Sequence, residues 1–158
     1  MKSKLFIILL AMFILAGFYS GAGAADVKVG ALNDMTGATS DVGKDYALGI
    51  AEAIHYMNDN GGVNGKKIKL YQFDYGYRVP EALTKYKLFK RLKCVSVLGW
   101  GTGDTAALSP TVTKEKMPYV SASYSAHLTD PKKTPYNLFA STDYSSNARA
   151  ALTVWFDK

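Results

Sequence analysis

Val95-Ser96-Val97-Leu98-Gly99-Trp100-Gly101-Thr102-Gly103-Asp104-Thr105 is the stretch that decides the fold. Its first five residues are short, apolar and β-branched, as a strand buried on both faces of a parallel sheet should be. The glycines that follow let backbone approach a ligand closely, and Asp104 stands where it can cap a helix running to about Glu115. Pro110 lies inside that run, so the spacing predicts a helix that starts late or bends there.

The same alternation continues in both directions. Toward the N-terminus, Val27–Leu32 reads as a strand, and Lys44–Asp59 carries Ala47, Ile50, Ala51, Ile54 and Met57 at one-face helical spacing. Asn60-Gly61-Gly62-Val63-Asn64-Gly65 stops that helix and turns the chain. Lys67–Asp74 is a second strand, with Ile68, Leu70 and Gln72 on one side. Pro80 suits the first turn of a helix that bears Ala82, Tyr86, Phe89 and Lys93. Toward the C-terminus, Tyr119–Ala122 is a fourth strand and Leu138–Ala140 a short fifth. Ser145–Lys158 reads as a helix with Ala148, Ala151, Leu152 and Trp155 on one face.

Strands alternating with helices predict an α/β fold: a parallel sheet with helices on both faces, joined by right-handed crossovers. Ligands in such sheets bind beyond the carboxyl ends of the strands, near a switch in strand order. The loops that matter are therefore 33–43, 74–79, 99–104, 122–127 and 141–146. The first is long and rich in small polar residues, but lacks the G-x-G-x-x-G turn of a dinucleotide site. The third points the free N–H groups of a helix start at whatever it holds, which suits a carboxylate. A plain tight turn fits it equally. Ser121-Ala122-Ser123-Tyr124-Ser125 offers hydroxyls to an ammonium or a carboxylate, or simply satisfies its own turn. Tyr144 opens the last helix, where its ring can pack on a ligand or lie on the surface.

Composition excludes several classes of function. The chain has 158 residues, a formal charge of +6, and 48% hydrophobic against 20% charged residues, which is a folding globular balance. Its basic residues are scattered except for Lys85, Lys87, Lys90, Arg91 and Lys93, so no nucleic-acid stripe is expected. Cys94 is the single cysteine, and a buried small hydrophobe is its simplest reading. Neither His55 nor His127 sits in a G-x-S-x-G or H-E-x-x-H context, so no enzyme, metal or cofactor is expected. Met1-Lys2-Ser3-Lys4, then an apolar run from Leu5 to Phe18, then small residues ending at Ala24, is the pattern of a secretory signal peptide. An exported mature protein beginning near Ala25 is the expectation.

With those stretches in view, the chain resembles the family of leucine/isoleucine/valine-binding proteins, the periplasmic solute-binding subunits of ATP-driven importers. Thr36-Gly37 with Gly43, GGVNGKKIKL, VLGWGTGDTAALSP, MPYVSASYSAHLTD and NLFASTDYSSNARA carry the resemblance in order over residues 26–158. It implies a two-lobed fold that closes on a small ligand, a membrane permease as partner, and a periplasmic location. It also implies that Trp100, Thr102 and Gly103, with Ser123, Tyr124, Ser125 and Tyr144, hold the ligand, Asp143 lying beside the last. Val42, Gly103, Tyr124-Ser125, Tyr75 and Tyr77 depart from the usual amino-acid binders. An amino acid, an amide and an aromatic acid therefore all stay open as ligands. Residues 25–158 are expected to form the first part of one lobe, with the second lobe absent. A sensor ectodomain with the same fold and an exported hydrolase are the alternative functions.

Overall fold

The computed structural model describes residues 25–156; the expected signal peptide, residues 1–24, lies outside the described residues. The chain runs β1 (Val27–Asn33), α1 (Ser40–Asp59), β2 (Ile68–Asp74), α2 (Val79–Leu92) and β3 (Ser96–Gly99). It continues with α3 (Thr102–Glu115), β4 (Tyr119–Ser121), a 3-10 turn (Ala126–Thr129), β5 (Asn137–Phe139) and α4 (Tyr144–Phe156). The five strands pair in parallel in the order β2-β1-β3-β4-β5. The order reverses between β1 and β3, so the switch point falls at their carboxyl ends.

One face of the sheet carries the core. Leu32, Val97 and Tyr119 pack there with Ala82, Tyr86 and Phe89 of α2 and with Leu108 and Val112 of α3. Phe89 is fully buried and stacks on Phe73 of β2 at 5.2 Å between ring centroids. Burying such a ring contributes on the order of 3 kcal/mol. On the other face, α1 covers β1 and β2. Asn58 exchanges two hydrogen bonds with the backbone of Ile68, and the Gln72 amide donates to the Ala47 carbonyl, as the predicted Ile68-Leu70-Gln72 side requires.

Three elements differ from expectation. Helix α1 starts at Ser40, four residues ahead of the predicted Lys44. The Asp34 carboxylate accepts from the Gly37 and Thr39 N–H groups and from the Thr39 hydroxyl, folding the loop tightly enough for helix to begin at once. Gly43 then passes so close to the Asp34 carbonyl that an added Cβ would lie 2.0 Å from it. Helix α3 starts at Thr102 and runs through Pro110 without a late start. Pro110 and Ala106, whose carbonyl the proline cannot serve, are both exposed. Helix α4 forms as predicted, but its expected core face does not: no residue of it is buried, and Trp155 is 77% exposed. Nothing among the described residues packs on that stripe.

Candidate functional site

Residues from every strand's carboxyl end meet at a hollow of about 140 Å³. The loop after β1 contributes Thr39, and the loop after β2 contributes Tyr77. Trp100, Gly101 and Thr102 follow β3, Ala122, Ser123 and Tyr124 follow β4, and Tyr144 opens α4. Wider grooves of about 340 and 430 Å³ lie beside α3, one of them bordered by His127, but no such convergence of strand ends occurs at either.

Each wall of the hollow is built by the chain behind it. Trp100 donates its indole N–H to the Thr39 hydroxyl at 2.8 Å and lies 5.0 Å from the Tyr46 ring, so its plane is set from two sides. Thr39 is itself a donor to Asp34, which uses up its single hydroxyl hydrogen. The Thr102 and Ser123 hydroxyls lie 2.9 Å apart. One of their two hydrogens serves the bond between them, and the other remains to be donated into the hollow. Ser121 supports this pair from below: its hydroxyl accepts the Ser123 N–H at 2.8 Å and meets the Thr105 hydroxyl at 2.8 Å. Tyr124 and Tyr144 pack edge to face at 5.5 Å, and the Tyr144 N–H donates to the Tyr124 carbonyl.

Under the hollow sits Asp104. It is not the cap that its position suggests. Gly101 occupies that place in extended backbone, and Asp104 is turned inward and buried. Its carboxylate accepts from the Tyr75 hydroxyl at 2.7 Å and from the Tyr119 hydroxyl at 3.1 Å. Burial pushes the Asp104 carboxyl up, against the two tyrosine donors that favour its charged form. Burial also pushes the Tyr75 and Tyr119 phenols up, helped by the Asp104 charge, so both stay protonated donors. Gly101 makes room for all of this. A Cβ there would lie 2.6 Å from Asp104 Oδ1, 2.6 Å from the Tyr77 ring and 2.9 Å from the Tyr75 hydroxyl.

Of the residues expected from sequence, Trp100, Thr102, Ser123, Tyr124 and Tyr144 line the hollow together. Gly103 is exposed in the first turn of α3, one residue beyond the lining. Ser125 stands back: its N–H donates to the Ser123 hydroxyl, and its own hydroxyl meets His127. Asp143 accepts from the Ser146 N–H and hydroxyl and so caps α4, which holds its carboxyl below the usual range. Thr39, Gly101, Ala122 and Tyr77 line the hollow though none was in the expected ligand-holding set. Tyr77 alone carried a signal, as an aromatic residue in a loop after a strand. No lining residue is charged, and among the described residues no group of His, Cys, Asp and Glu is arranged to hold a metal ion.

The sequence profile of the periplasmic binding protein family matches residues 26–158. An amino acid binding protein of Pseudomonas aeruginosa is 34% identical over 103 residues, 63% of this chain and 27% of that protein. A substrate-binding protein of an ABC transporter from Aeropyrum pernix is 40% identical with a TM-score of 0.73, over 79% of this chain and 33% of its own. A branched-chain amino acid ABC transporter protein from Thermus thermophilus, solved with bound valine, gives 25% identity and a TM-score of 0.78, over 84% and 35%. The branched-chain amino acid transporter substrate binding protein LivJ from Streptococcus pneumoniae, solved with isoleucine, gives 26% and 0.68, over 75% and 34%. The chain therefore spans about a third of the length of these solved structures, and 27% of the Pseudomonas protein.

Proposed function

The chain belongs to the periplasmic binding protein family, and from that premise we propose that it forms one wall of a clamp that captures a small solute for an ATP-driven importer. The fold is that of a type I periplasmic binding protein lobe, in part. The observation that carries the reading is the meeting of all five strand ends at one uncharged, ring-lined hollow beside the switch point.

In this reading the ligand is an amino acid, an amide or a related acid. Its carboxylate docks at the start of α3. There the spare hydroxyl hydrogen of the Thr102–Ser123 pair and the first-turn N–H of Gly103 are donors. Trp100, Tyr124 and Tyr144 pack on its body. Ser125 acts through Ser123, whose hydroxyl it orients. The protein does no chemistry on the solute. Residues 25–158 supply the first part of one lobe, and a second lobe closes over the ligand. Closure is a population shift, driven by contacts that exist only in the closed state. The leader exports the chain to the periplasm and is removed near Ala24, and the closed form is presented to a membrane permease.

The test is a thermal-shift and calorimetric screen of the full-length, two-lobed protein against amino acids, amides and aromatic acids. A cognate ligand at about a hundred times its Kd stabilises the folded form by roughly 2.7 kcal/mol, which reads as a rise of several degrees. No rise with any member of the panel at millimolar concentration overturns solute capture.

A further inference from the structure

We propose that the ligand's body is a flat aromatic ring bearing a carboxylate, and that Tyr77 is the residue that selects it. This rests on the solute-capture reading and narrows it. Four rings, Tyr77, Trp100, Tyr124 and Tyr144, line the hollow, beside the hydroxyl pair Thr102–Ser123. Rings gain edge-to-face and offset stacking that an aliphatic chain of equal area does not.

Tyr77 is held for this task by its surroundings. Gly76 and Tyr77 are consecutive left-handed residues, at φ +58° and +56°. A tyrosine adopts that conformation only when its surroundings enforce it. Asp74 does so. Its Oδ1 accepts the Met35 and Gly76 N–H groups, both at 2.9 Å, and its Oδ2 accepts the Thr36 hydroxyl, which locks the loops after β1 and β2 together. The turn lays the Tyr77 ring on the bare backbone of Gly101, while 42% of the residue stays exposed. Tyr77 follows β2 and Tyr144 follows β5, so rings reach the hollow from opposite edges of the sheet with the Trp100 indole between them in sequence order. A ring seated before the ligand arrives loses little freedom on binding.

The experiment is calorimetry on the full-length protein with benzoate, phenylacetate, phenylalanine and tyrosine against leucine, valine and glutamine. At least one aromatic solute is expected to bind about tenfold tighter than every aliphatic one, the scale of one or two aromatic contacts. The benzoate and phenylalanine arms separate ring acids from ring amino acids. Tyr77→Asn removes the ring while suiting the left-handed backbone. It is expected to weaken the best aromatic ligand about tenfold and leucine by less than about threefold. Tyr77→Phe is expected to restore the selectivity. An aliphatic solute that binds as tightly as every aromatic one overturns the ring class while leaving solute capture standing. Unchanged aromatic affinity in Tyr77→Asn overturns the role of Tyr77. Should that variant not fold, the selectivity of the unmodified protein still decides the ring class, and Tyr77→Leu decides the residue. Absence of binding by all four aromatic solutes overturns the ring class, and solute capture then stands or falls with the wider screen.

Discussion

Asp104 shows what a single side chain does here. A carboxylate in the first turn of a helix is ordinary, and favourable to the helix dipole. This one is buried and joins residues 29 positions before it and 15 after it, Tyr75 and Tyr119. Asp104→Ala leaves two buried hydroxyls without their acceptor. Stability is expected to fall by about 2–6 kcal/mol, at roughly 1–3 for each unpaired group, as measured by urea unfolding. An unchanged urea midpoint would show that the hydroxyls find other partners. Asp74 governs the acid side. Burial works against its charged form, but hydrogen bonds from Thr36, Met35 and Gly76 outweigh it and hold the carboxyl below its usual range. Its contribution is therefore complete above the unfolded value of roughly 3.9, and is lost as pH falls through the lower folded value. Asp74→Asn is expected to flatten the loss of melting temperature with acidification below about pH 4. An acid limb as steep as the wild type's would assign that loss to other carboxylates. Both aspartates were visible as residues. Their partners were not, because hydrogen bonds between distant segments leave no periodic mark in a sequence.

At the scale of the element, local signals worked where burial followed from periodicity. Helix α2 runs from Val79 to Leu92 with Pro80 in its first turn, and ends at Lys93 in left-handed backbone. Helix α3 runs through Pro110 because that residue faces water, so the proline costs propensity without breaking the helix. Pro110→Ala restores a backbone donor on an exposed face. It is expected to raise stability by up to about 3 kcal/mol, seen as a higher melting temperature with unchanged ligand affinity. A lower melting temperature would show that the proline ring packs against a neighbour. The hollow was half legible at this scale. Trp100, Thr102, Ser123, Tyr124 and Tyr144 came from loops that any parallel sheet brings to one edge. Tyr77 and Thr39 came from tight turns whose geometry Asp74 and Asp34 set through contacts at the loop tips.

For the whole molecule, the face of the sheet that bears α1 is covered only in part. An apolar groove of about 360 Å³ opens between Tyr46, Ile50, Ile54 and Met57 of α1 and Leu98 of β3. Leu138 on the edge strand β5 is 52% exposed, as is much of the apolar stripe of α4, with Leu152 at 56%. Exposed apolar surface beside an open strand edge promotes association. Residues 25–158 studied alone are expected to self-associate as their concentration rises, by sedimentation velocity. Leu138→Lys with Trp155→Lys is expected to reduce that association, and a monomer at all concentrations would refute it. Alternation, apolar spacing and the order of loops were enough to determine the parallel sheet, its helices and the edge at which the loops converge, because each follows from local period and chain direction. Which rings face the hollow and which carboxylate lies buried beneath it were decided only by tertiary structure, because they depend on contacts between segments that the chain brings together after its elements have formed.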